Sequence, residues 1–211
     1  MYKIVVIIKT KEKESEKKME QKKDVKEIKN KRVEEIFALC GISRVMPISF
    51  DKLSKNFKVN ICGTDFSYLS NLNEVKEILQ SEKKILGMVN IENDFANIYY
   101  NNNPEIDIPT QRFTIAHELA HCINHYDELS KAGKVEFLGE DEDNIDDLLN
   151  DNNDIHEYVC NKFARDFLIP TEMLKKIYNA MQNPQISDLA NLFLVPEKQM
   201  NIKLKEIGLG V

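Results

Sequence analysis

The pentapeptide His117-Glu118-Leu119-Ala120-His121 dictates its own local conformation. Its two imidazoles reach one point together when the backbone is helical, because residues four apart then lie one turn apart on the same face. A zinc ion accepts such nitrogens at about 2.0–2.1 Å. Glu118, one residue on from the first histidine, can take a proton from a water that the ion polarises. The flanking residues independently predict a helix from Thr110 to about Tyr126, preceded by Pro109. Phe113, Ala116, Leu119, Ala120 and Ile123 form its apolar stripe. The bland alternative is a pair of surface or core histidines on an ordinary helix.

A catalytic zinc site needs a third protein ligand and one open position. A second helix is predicted over about Asp154 to Leu168, stopping before Pro170. Glu157 on that helix can supply the third ligand. Asn161 lies one turn later on the same face, where it can hydrogen-bond a ligating histidine and fix its ring. His125 and His156 are rivals for the third position. His125 continues the row of His117 and His121, but three successive turns of one helix converge poorly on a tetrahedral ion. His156 neighbours Glu157 but points to another face. Either could instead face the reaction centre as a proton donor. Cys122 and Cys160 stand beside site residues but point about 100° away, and are read as core thiols.

The stretch Arg112-Phe113-Thr114-Ile115-Ala116-His117-Glu118-Leu119-Ala120-His121-Cys122-Ile123-Asn124-His125 resembles the active-site helix of the ImmA/IrrE metallo-endopeptidases. Glu157, Asn161-Lys162-Phe163-Ala164 and Phe167-Leu168-Ile169-Pro170 are similar to that family's second motif. The likeness extends over about residues 36–210. It implies a gluzincin-like site with one zinc per chain, in which His117, His121 and Glu157 are ligands and Glu118 is the catalytic base. It further implies a substrate: a helix-turn-helix repressor of a bacterium or mobile genetic element, encoded nearby and cut once to relieve repression, which makes the activity one of transcription regulation. The chain departs from the family in having Ala120 where Gly is common, Cys160 where Ala is usual, and a longer acidic insert at 127–154.

The rest of the chain predicts an α+β fold: a mostly helical domain with a small antiparallel sheet beside the HExxH helix. Expected strands are 2–8, Lys58–Cys62, Ile85–Ile91 and Ala96–Tyr100, the last two joined as a hairpin by Glu92-Asn93-Asp94. Helices are expected over the Lys/Glu run 9–32, over an apolar stripe from Val25 to Cys40 that ends at Gly41, and at 71–82. Others should open at Ser49 and at Thr171, with two short ones at about Ser187–Phe193 and Pro196–Ile207. Residues 1–35 are read as a strand and helical arm, and 36–211 as the metallopeptidase domain. The insert 127–154, with few apolar anchors, should be mobile.

The net charge is −6, unevenly spread. Residues 1–33 carry 12 Lys/Arg against 6 Asp/Glu, and residues 127–157 carry 12 Asp/Glu against 2 Lys. An acidic chain is a poor general phosphate binder, so nucleic acid is not the expected partner. The longest apolar run near the N-terminus, Ile4–Ile8, is too short for a signal h-region or a membrane span, and a cytoplasmic protein with no membrane partner is expected. Cys40, Cys62, Cys122 and Cys160 form no CxxC pair and are read as reduced, mostly buried thiols. Two other functions compete. One is a non-catalytic metal-binding regulator that grasps a partner protein. The other is a DNA-binding regulator, whose second C-terminal helix would offer Lys198, Lys203 and Lys205 to phosphate.

Overall fold

The computed structural model describes residues 22–66, 85–130, 136–139 and 152–209. The expected strand at 2–8, the first part of the Lys/Glu helix, the helix at 71–82 and most of the acidic insert lie outside these residues. The fold is α+β, as expected. Its frame is a hairpin, β2 (Ile85–Glu92) and β3 (Phe95–Asn101). Asn93 and Asp94 connect the two, both at positive φ (50° and 64°). That pair of left-handed residues matches the strand twist, which is why Asn-Asp serves the two-residue turn.

The sheet has four strands in the order β1-β3-β2-β4 and is mixed, a correction to the antiparallel sheet expected. β1 (Val59–Thr64) runs parallel to β3, because it joins beyond the hairpin rather than beside β2. β4 (Glu136–Gly139) pairs antiparallel with β2, Leu138 standing opposite Gly87. Part of the segment read as a mobile insert is therefore ordered. The backbone groups along the outer edge of β2 need partners, and this stretch supplies them.

A single 3-10 turn (Val25–Ile28) precedes the first helix, α1 (Val33–Cys40). The predicted stripe is right in its residues: Val25, Ile28, Val33, Ile36, Phe37 and Cys40 are all buried. It is wrong in its continuity. Asn30 turns left-handed (φ 57°) and gives its N–H to the carbonyl of Ile123 at 3.0 Å, which ties this segment to the HExxH helix. α1 spans the boundary expected at residue 35, and Gly41 ends it left-handed at φ 61°. α2 (Asp51–Asn56) follows, its first N–H held by Ser49 Oγ.

The HExxH helix, α3 (Ile108–Asn124), starts two residues earlier than expected. Asp107 accepts from the N–H of Thr110 at 2.7 Å, and Pro109 sits in the first turn. Every residue from Phe113 to Ile123 is buried. A helix buried all round lies between layers rather than on a surface. Here one face lies on β2 and β3 and another on α5 (Asn152–Leu168). The short α4 (Tyr126–Leu129) links α3 to the acidic segment.

α6 (Thr171–Ala180), α7 (Ile186–Phe193) and α8 (Glu197–Glu206) close the chain. Thr171 is the first residue of α6 rather than its cap, which is Pro170. A buried polar clamp fixes α8 to α5. Arg165 donates to Gln199 Oε1 at 3.1 Å and to Glu206 Oε1 at 3.0 Å, and Lys203 pairs with Asp166 at 2.5 Å. Lys203 is thus turned inward and is not offered to a nucleic acid.

Burial alone would raise the Asp166 carboxyl, but hydrogen bonds from Lys203 and Lys162 outweigh it and hold the carboxyl below its ordinary value. A depressed carboxylate contributes stability above its unfolded-state value, and the contribution is lost as pH falls through the folded-state value. Asp166→Asn leaves the Lys203 ammonium buried without its counter-charge. It is expected to cost about 3 kcal/mol in urea unfolding at neutral pH. The gap from the wild type should close as the pH is lowered below about 4.

Candidate metal centre

α3 and α5 bring four of the residues singled out in the sequence into one buried group. His117 and His121 rings stand one turn apart with centroids 4.7 Å from each other. Their Nε2 atoms are 2.9 Å apart. Glu157, from α5, places Oε2 3.0 Å from His117 Nε2 and Oε1 3.4 Å from His121 Nε2. Donors on a tetrahedral zinc at about 2.0–2.1 Å stand roughly 3.3 Å from one another. The three donors therefore have the spacing of a single ion's ligand set. Two imidazoles and a carboxylate are also the donors that zinc accepts when one position stays open.

Asn161 accepts at Oδ1 from His117 Nδ1 at 2.8 Å. An amide oxygen can only accept, so Nδ1 carries the proton and Nε2 presents its lone pair to the group. Burial lowers the His117 imidazole below its usual range, outweighing the raising effect of Glu157 and Asn161, and favours the neutral form a ligand requires. Burial would raise the Glu157 carboxyl. The adjoining His117 and His121 imidazoles prevail and hold it far below the usual carboxylate range.

Glu118 is fully buried, with β2 close against its carboxylate. A Cβ built on Gly87 of β2 would lie 2.6 Å from Glu118 Oε1 and 2.4 Å from Thr114 Cγ2. The strand can approach the carboxylate only because residue 87 has no side chain. Sequence reading passed over Gly87. Its signal was a lone glycine inside an apolar strand.

His125 and His156 lie outside the group of three and stack on each other, ring centroids 4.4 Å apart. None of the four cysteines is in a disulfide. Cys40, Cys122 and Cys160 are buried and Cys62 is exposed. Burial raises the Cys160 thiol above its ordinary value, and the neighbouring His121 and Asn124 partly offset that.

Asn161→Ala removes the acceptor that fixes His117. Metal affinity is expected to fall about 10–100-fold, measured by competition with a chelator, while Asn161→Asp keeps an acceptor and most of the affinity.

A buried histidine pair on one helix, completed by a carboxylate from a second helix beside a small sheet, is the architecture of a metallopeptidase. Comparison with known families agrees. The model of the Peptidase_M78 family, the IrrE N-terminal-like domain, matches residues 80–205, and the chain belongs to that family. No curated protein matches the chain. Among the described residues, no helix is long and apolar enough to cross a membrane.

Proposed function

We propose that the chain is a zinc-dependent endopeptidase, with one zinc per chain, that cuts a helix-turn-helix repressor and so relieves repression. The convergence of His117, His121 and Glu157 within hydrogen-bond distance of one another is the observation that carries the chemistry. When bound, the ion would supply Lewis-acid polarisation of a water and of the scissile carbonyl. His117, His121 and Glu157 would hold it, and Asn161 keeps the His117 ring in register. Glu118 takes the proton of the attacking water at its carboxylate and passes it to the leaving amine. The wall formed by α3 and β2 around Glu118 keeps bulk water from competing at that oxygen.

The substrate reading rests on the family and on charge. The cytoplasm, where such a repressor works, is the compartment this reading requires. A repressor is basic where it meets DNA, and the acidic stretch 127–157 can steer it. An extended substrate segment joining β2 as a strand would be a selective mode of entry. β4 covers that edge from Ile85 to Val89, beside Glu118, so such a segment must displace β4 or extend from it. That favours one restrained cut over general digestion. The test is to incubate the protein with a repressor encoded beside it and with casein, at low and moderate salt. A single salt-sensitive cut in the repressor, with casein spared, is the expected result. Equal cleavage of both, insensitive to salt, would rule out the substrate while leaving the zinc chemistry in place.

A further inference from the structure

The chain has only four histidines, and all four lie along the seam between α3 and α5. The metal centre uses two. His125 follows His121 by one turn, their ring centroids 5.6 Å apart, and His156 stacks on His125 from α5. Cys160, one turn beyond His156, is buried against the same rings. The donor atoms of His121, His125 and Cys160 lie within 4.8 Å of one another.

This second group differs in chemistry from the first. It has a sulfur and no carboxylate. Thiolate with imidazole selects zinc and softer ions over magnesium or calcium. A zinc–sulfur bond of about 2.3 Å and zinc–nitrogen bonds of about 2.0–2.1 Å require the donors to close in by roughly an ångström, within the reach of side-chain rotation. The two groups share His121 without competing for the same atom. Its Nε2 faces His117 and Glu157, and its buried Nδ1 is on the other side of the ring. His156 is exposed and stacks on His125 without joining this group of donors.

We propose that His121, His125 and Cys160 form a second metal site adjoining the first, selective for a thiophilic ion such as zinc, cobalt(II) or cadmium. Binding there releases two protons to solvent, one from the Cys160 thiol and one from His121 Nδ1, and joins the two ions through the His121 imidazolate. The inference rests on the reading of His117, His121 and Glu157 as the first metal site. Because one imidazole serves both ions, the second equivalent binds more weakly than the first.

The experiment titrates the full chain, purified with its first metal, with cobalt(II). It follows the near-ultraviolet sulfur-to-cobalt charge-transfer band and counts total metal per chain. The expected result is a second equivalent that brings the band. Cys160→Ser should lose both band and second equivalent, and His125→Ala should do the same should the serine variant not fold. Saturation at one metal with no band, or a band that survives Cys160→Ser, overturns the proposal. Glu157→Ala separates the two sites: it should lower the first equivalent and leave the charge-transfer band. A chain that binds one cobalt with the band, unchanged by Glu157→Ala, would instead overturn the first site and keep the second.

Discussion

Glu118→Gln retains its metal and its fold and loses turnover by about 10²–10⁴-fold, the range that a positioned general base contributes. In free energy that is about 3–5 kcal/mol of transition-state stabilisation, at 1.36 kcal/mol per tenfold. Three features isolate the effect. Glutamine has nearly the shape of glutamate, so the close contact with Gly87 and Thr114 is preserved. Glu118 is not one of the three converging donors, so metal content should not change. The amide cannot accept the proton that the carboxylate takes from water. The measurement is kcat on a cleaved peptide together with metal content and thermal midpoint. Substantial proteolysis by a metal-loaded Gln variant would remove Glu118 from the mechanism. Loss of metal with activity would mean that the carboxylate holds the ion rather than the proton.

The candidate site was largely legible because its residues signal locally. HExxH demands a helix, and Glu157 with Asn161 repeats the one-turn spacing on a second helix. The structure brings His117, His121, Glu157 and Asn161 together. What stayed hidden depends on contacts between elements distant in sequence. The sequence of α3 shows one apolar stripe, yet from Phe113 to Ile123 the helix is buried on every side, since sheet, α5 and the N-terminal segment all close on it. Only the tertiary arrangement decides that. Gly87 gave a weak signal because its meaning lies in the approach of Thr114 and Glu118, 27 and 31 residues later. β4 carries a short run inside an acidic segment, and pairing with β2 overrides a composition that argued against order. The direction of β1 likewise follows from which side of the hairpin it joins, which no local pattern encodes. The break at Asn30 is a left-handed residue other than glycine, favoured by the tie to Ile123 that it permits.

The second large effect is on the metal itself. His117→Ala, His121→Ala and Glu157→Ala each remove one of three converging donors, and each should lower affinity by orders of magnitude. Their structural consequences should differ. His117 is fully buried and anchored by Asn161, so its loss also leaves a cavity and an amide without its partner. Glu157 keeps 23 % of its side-chain exposure, so truncating it disturbs packing least and gives the cleanest reading of the ligand role. A metal that binds only the folded chain stabilises it by about 4 kcal/mol when free metal is a thousandfold above Kd. Chelation of the wild type should therefore lower the thermal midpoint by several degrees. The same chelation should do little to Glu157→Ala, whose site is already weak. His156→Ala should behave as the wild type in its first equivalent of metal, because the ring stacks on His125 outside the group of three. Full metal in Glu157→Ala, together with its loss in His156→Ala, would move the third ligand to His156 and require α5 to turn that face toward His117.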